Sequence, residues 1–122
     1  MNREELQART KQFALRVMDL TDALPANRKG RVVGDQILRS GTAVASGYRA
    51  ACRARSHADW IDKLGRTLEE ADETLLWLEL IEEGGLMAAA RLSALKQEAS
   101  ELTAIFAAAH KSSKAKIISP TS

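Results

Sequence analysis

Aromatic side chains make up only 4% of this 122-residue chain: two tryptophans, two phenylalanines and one tyrosine. Platforms for stacking bases or sugars are therefore scarce, and any nucleic-acid recognition has to be electrostatic and shape-reading. A single cysteine, Cys52, excludes an intrachain disulfide and makes a reducing cytoplasm the expected compartment. It stands near Arg49, Arg53 and Arg55, but no histidine is placed to act as its base, so it reads as a small core residue and not a nucleophile. Two histidines are present, His57 and His110. The Glu-x-x-His pairs of metal-binding bundles are missing, because Ala54 and Ala107 stand three residues before them. Both histidines read as exposed surface residues, and no metal or cofactor is expected. Glycine-rich phosphate loops are absent, as is any apolar run near the ~18 residues that span a membrane. The charged start, Met1-Asn-Arg-Glu-Glu5, does not resemble a signal peptide. Glu69, Glu70, Asp72 and Glu73 point in different directions around a helix, so they read as a solvated face and not an acid–base pair. No small-molecule substrate is implied.

What the chain does have is helical periodicity. It is 45% hydrophobic and 28% charged, the mixture of a soluble globular domain. Leu6, Thr10, Phe13, Val17, Leu20 and Leu24 repeat at alternating spacings of four and three, until Pro25 ends the pattern. Val33, Ile37, Ser40, Val44, Tyr48 and Ala51 form a second stripe. A third carries Trp60, Leu64, Leu68, Ala71, Leu75, Leu78 and Ile81, introduced by Ser56 as N-cap and closed by Gly84-Gly85. The fourth is Ala88, Leu92, Leu95, Ala99, Leu102, Phe106 and Ala109. No segment alternates with period two. The spacing predicts helices at about 4–24, 28–53, 56–83 and 87–110. Their short links make an all-α, antiparallel, up-down-up-down four-helix bundle over residues 1–110. Residues 111–122 read as a loose polar tail.

Two stretches strain against a lone bundle. Helix two contains Ser40-Gly41-Thr42-Ala43-Val44-Ala45-Ser46-Gly47, and each glycine inside a helix costs about 1 kcal/mol against alanine. Close approach of another backbone would offset that. Helix three adds Ile61, Leu76, Trp77 and Leu80 to its seam. A band that wide suggests a second buried face and hence an oligomer.

Charge is also segregated along the chain. Residues 28–66 hold 9 basic and 3 acidic side chains, while residues 67–83 hold 7 acidic and none basic. Arg28, Lys29 and Arg31 gather at the start of helix two. Arg49, Arg53 and Arg55 gather at its end, joined by Lys63 and Arg66 of helix three. Arginine forks match phosphate oxygens, so these residues are candidates for contacting nucleic acid or an acidic partner. The alternative is that they neutralise the acidic helix three within or between subunits. Arg39, lying mid-helix, is expected to pair with an acidic residue of helix three.

The run Gln36-Ile-Leu-Arg-Ser-Gly-Thr-Ala-Val-Ala-Ser-Gly-Tyr48 resembles a hallmark of the four-helix bundle proteins encoded in 23S rRNA intervening sequences. That hallmark is a Gln-Leu-x-Arg-Ser-x-x-Ser-Val/Ile-x-x-Asn stretch on helix two. Tyr48-Arg-Ala-Ala-Cys-Arg-Ala-Arg55 and Leu68-Glu-Glu-Ala-Asp-Glu-Thr-Leu-Leu-Trp-Leu-Glu-Leu80 resemble a common subgroup, and the likeness extends over roughly residues 10–110. Ala43 and Gly47 depart from it, standing where serine and asparagine are usual. The resemblance implies a ring-like homo-oligomer, a homopentamer around a central channel, with no enzymatic activity. Similar proteins serve as accessory subunits of reverse transcriptases in diversity-generating retroelements, where a basic surface contacts nucleic acid and the polymerase. The implied partners are thus the chain itself and RNA or a nucleic-acid-handling protein. On this view Gly41 and Ala45 allow close packing, and Trp60, Trp77 and Leu80 are candidates for the subunit interface, with plain core the alternative for either tryptophan.

Overall fold

The computed structural model describes residues 1–118, and among these there are four helices and no strand. They are α1 (Arg3–Asp22), α2 (Arg28–Cys52), α3 (His57–Glu83) and α4 (Ala89–Ile118). Each of the first three begins where a short polar side chain satisfies an orphan backbone donor: Asn2 accepts from the Glu5 N–H, Asn27 from Gly30 and Ser56 from Asp59. α1 stops at Asp22, because Ala23 caps it two residues before Pro25. Gly85 follows α3 at φ +72°, the left-handed step that lets the chain reverse.

Consecutive helices pack side by side and antiparallel, while α1 and α4 meet more sparsely along the remaining edge. There Arg9 spans the gap, donating to Glu98 at 2.7 Å and 2.8 Å and to Glu101 at 2.9 Å. The expected stripes form the core. Phe13, Val17, Ile37, Val44, Leu64, Leu78, Ile81, Leu92, Leu102 and Phe106 are fully buried. Burial of such side chains stabilises by roughly 1.5–3 kcal/mol each, before conformational entropy is set against it. Hydroxyls are embedded in this core as well. Thr74 and Ser40 lie 2.8 Å apart across α2 and α3. Thr67 and Thr74 donate to the carbonyls of Lys63 and Glu70, so burial leaves no lone donor.

The small residues of α2 act within the chain. Gly41 is buried, and a Cβ there would stand 2.8 Å from a Val17 methyl of α1. Gly47 meets Thr67 of α3 as closely, at 2.6 Å. The close approach expected of Gly41 is thus met between α1 and α2 of one bundle. Ala45 is half-buried on the flank of α2.

The loose tail expected from Lys111 is instead the last two turns of α4, continuous to Ile118. Nothing between Lys111 and Ile118 breaks a helix, and Ser113 is the next step of the buried stripe after Phe106 and Ala109. Ser113 is only 7% exposed. Its hydroxyl accepts from the Trp60 indole N–H at 2.9 Å, and its carbonyl accepts from His57 Nε2, also at 2.9 Å. Residues 119–122 of that expected tail lie outside the described residues. His110 also departs from expectation: it is half-buried in α4 and packs against Gly65.

Candidate nucleic-acid interface

α2 separates the basic block into two clusters. Its ends are about 36 Å apart at 1.5 Å per residue. Arg28, Lys29 and Arg31 are exposed beside the α1–α2 turn, where Arg31 donates to the Ala26 carbonyl at 3.3 Å. Arg49, Arg53, Arg55 and Lys63 lie at the opposite pole. They line one groove of about 700 Å³ with Ser46, Ala50, Ser56 and Asp59. The single ridge suggested by sequence proximity is therefore two sites facing opposite ends of the bundle.

Local structure holds the second cluster in place. Arg49 is in the last turn of α2 and Arg53 is its C-cap. The Arg55 N–H donates to Asp59 Oδ2 at 3.2 Å, and Ser56 caps α3. The connection is thereby pinned at both sides, with the three guanidinium groups projecting from it. Asp59 also pairs with Lys63, whose ammonium, followed by the Arg55 N–H, holds the carboxyl below the usual aspartate range. Arg66 pairs with Asp62 at 3.1 Å and does not line the groove.

Elsewhere the acidic helix has its own partners. Arg39 reaches across from α2 to Glu70 at 3.0 Å and also to Glu73, the ion pair expected from its position. Lys96 of α4 donates to Glu82 at 2.9 Å. Among the described residues, no carboxylate pairs with Arg28, Lys29, Arg31, Arg49, Arg53 or Arg55. Neutralisation of these six by α3 of the same chain is thus not how the bundle is built.

A larger asymmetry comes from folding. The half that carries the α2–α3 turn (residues 1–14, 44–70 and 105–118) holds 11 basic and 6 acidic side chains, and the other half holds 7 and 10. Antiparallel helices bring two positive and two negative dipole ends to each pole, so side chains set this difference. Arg3, Lys111, Lys114 and Lys116 join the basic pole from the two ends of the chain. Sequence reading passed over them, since only antiparallel packing makes the first turn of α1 and the last turns of α4 neighbours of the α2–α3 turn.

The aromatic interface candidates divide. Trp60 is held within its own chain: its ring meets Tyr48 edge-on at 6.4 Å, the Arg3 guanidinium lies 4.3 Å from its centroid, and its N–H bonds Ser113. These intrachain contacts fit the core alternative for Trp60, which is half-buried. Trp77 is half-buried and donates to Glu73 at 3.0 Å. Leu80 remains 42% exposed, four residues from Leu76 at 48%. Among the described residues, no group of three His, Cys, Asp or Glu side chains gathers as a metal ion would require, and no helix is long and apolar enough to cross a membrane.

Carboxylate pairing fixes the acid response. Trp77 and Arg39 hold the Glu73 carboxyl below the usual range, and Gln97 and Arg9 do the same for Glu101. Groups lowered in the folded state stabilise it fully above their ordinary values of 3.8 and 4.5, and lose that contribution as pH falls through the lower folded values. The melting temperature followed by circular dichroism is expected to stay level from about pH 8 to 5 and to fall below about pH 4. A decline already complete by pH 5 would contradict this assignment.

Known proteins agree with this geometry. The family model described as 23S rRNA-intervening sequence protein matches residues 4–108. A solved structure of a protein of unknown function from the S23 ribosomal protein family of Bacteroides thetaiotaomicron superposes with a TM-score of 0.83. It is 32% identical, over 91% of this chain and 99% of that one. No curated protein matches. With its four helices, and a match running from the first turn of α1 to the Phe106 region of α4, the chain belongs to the 23S rRNA-intervening sequence protein family.

Proposed function

We propose that this protein is a non-catalytic RNA-binding bundle that grips phosphates with the groove at its α2–α3 turn and acts in the cytoplasm as a ring-like homo-oligomer. The observation that carries the reading is that Arg49, Arg53 and Arg55 converge on one groove with no carboxylate partner of their own among the described residues. Unpaired guanidinium forks displace counterions from a phosphate backbone, and that release drives binding. Exposed Leu76 and Leu80 on α3, with Leu15 and Met18 on α1, supply apolar surface that neighbouring copies would cover, and the family resemblance makes five copies the expected number. A ring would present the groove several times and multiply a weak contact.

Fluorescence anisotropy with a short RNA hairpin tests this. Affinity should fall steeply between about 50 and 200 mM salt. The combined Arg49→Ala, Arg53→Ala, Arg55→Ala variant should lose at least about tenfold at low salt and flatten the log–log salt slope by roughly 2 to 3. Binding that ignores salt, or is unchanged in the triple variant, would defeat the proposal. A native mass near the 13.3 kDa of one chain would remove the ring from it.

The axial charge separation favours a second reading, a scaffold whose basic and acidic poles attract copies of itself or a nucleic-acid-handling protein. In that case the protein purifies without nucleic acid, and screening charge dissolves the assembly instead of releasing a ligand.

A further inference from the structure

A second cavity opens at the basic pole, adjoining the groove at Ser56 and formed where α1 begins, α2 ends and α4 passes the first turn of α3. It measures about 480 Å³ and is lined by Arg3, Ala51, Cys52, Ala54, Ser56, His57, Trp60, Ala109, Ser112, Ser113 and Lys116. Two cationic side chains, Arg3 and Lys116, line it, and no carboxylate does. Two acids of the neighbouring helix starts are engaged elsewhere: Glu5 accepts from Asn2 at 3.0 Å, and Asp59 pairs with Lys63 and accepts from the Arg55 N–H. Arg3 has no carboxylate partner among the described residues, and its guanidinium is laid over the Trp60 ring. Stacking restrains the plane of the fork while leaving its edge N–H groups available.

The Ser113 hydroxyl is set up to donate. Ser113 uses its oxygen to accept from Trp60, so the hydroxyl hydrogen has no assigned acceptor. His57 donates through Nε2 to the Ser113 carbonyl, which fixes the ring against the end of α4. Ser112 adds a third polar group. Trp60, Ala51, Ala54 and Ala109 add apolar side chains to this mainly polar lining. The volume leaves room for an organic body beside a phosphate.

We infer that this cavity is a binding pocket for a phosphate monoester with an attached nucleoside, either a free mononucleotide or the phosphorylated end of an RNA strand. Arg3 and Lys116 hold the dianion, Ser113 donates to one of its oxygens, and the sugar and base lie against the apolar side chains of the lining. The inference goes beyond the groove and does not require the groove to bind RNA.

Trp60 is itself the reporter. In a Trp77→Phe background it is the only tryptophan, so its emission reads the cavity directly. Titration with adenosine monophosphate should change that emission saturably, with adenosine at least about tenfold weaker because it lacks the charge-assisted contacts. Arg3→Gln and Lys116→Gln should each weaken the nucleotide at least about fivefold, with far-ultraviolet circular dichroism unchanged. The second arm compares one RNA oligomer with a 5′-phosphate and with a 5′-hydroxyl. Preference for the phosphorylated form, lost in Arg3→Gln, assigns the ligand to strand ends, whereas saturable nucleotide binding without that preference assigns it to free nucleotides. Equal response to the nucleotide and adenosine, or no saturable response to either, overturns the inference. RNA binding that vanishes in the Arg49, Arg53, Arg55 variant while the nucleotide still binds shows the two sites to be independent, as inferred.

Discussion

Phe106→Ala is expected to lower the unfolding free energy by about 3–5 kcal/mol, among the largest losses a single truncation can cause here. Phe106 is fully buried, and its ring lies 5.5 Å from that of Tyr48. Removing it deletes buried apolar surface, leaves a cavity and ends the aromatic pair. Tyr48 in turn holds Trp60 edge-on, so the loss reaches the basic pole. Burial, followed by a bond with Cys52, pushes the Tyr48 phenol well above the usual range, so it remains neutral and packs as part of the core. Since domains of this size are stable by only about 5–15 kcal/mol, the variant should unfold at much lower urea, with a melting temperature lower by roughly 10–20 °C. Phe106→Leu, which keeps most of the volume, should cost no more than about 1.5 kcal/mol. A loss below about 1 kcal/mol for the alanine variant would show that the surrounding helices collapse onto the site, contrary to a tightly packed core.

Gly30→Ala is the second large effect, and its sign runs against ordinary helix propensity. In an exposed helix interior, alanine replacing glycine stabilises by about 1 kcal/mol. At Gly30 a Cβ would stand 1.9 Å from the Pro25 carbonyl oxygen and 2.9 Å from its carbon. Backbone cannot swing aside as a side chain can. The α1–α2 turn would have to open, disturbing the Asn27 cap that accepts from the Gly30 N–H at 2.9 Å. A loss of about 2–4 kcal/mol is expected, as for other overpacked or uncapped sites. Gly34→Ala, one turn further along α2, provides the contrast. There the added carbon meets only Leu24 Cδ1, at 3.4 Å, an ordinary contact. It should raise stability by up to about 1 kcal/mol. Chemical denaturation of both variants measures the difference, and equal effects would refute the steric account.

Much of the architecture was legible because it rests on one-dimensional signals. Alternating spacings of three and four located the buried faces, and Pro25, Ser56 and Gly84-Gly85 marked the breaks. The core hydroxyls Thr67 and Thr74 were not legible, since a threonine reads as polar until its hydroxyl is seen to bond a carbonyl one turn back. The end of α4 was obscured for a related reason. Lys111 to Lys116 are polar, and their helix depends on the distant Trp60 and His57 contacts to Ser113. Gly41 and Trp60 drew notice for sound reasons, close approach and a large apolar surface, but a sequence cannot distinguish a neighbouring helix from a neighbouring subunit.

By itself, then, the order of residues determined four amphipathic helices, their antiparallel course and the Arg39 link to α3, because periodicity, caps and short connections act over a few residues or a single turn. Only the tertiary structure decided that the basic block is two clusters, that one of them forms a groove at the α2–α3 turn, and that Arg3, His57 and Lys116 share a cavity. The physical reason is distance. Helix rise carries residues of one block some 36 Å apart, while antiparallel packing brings the two ends of the chain together at one pole.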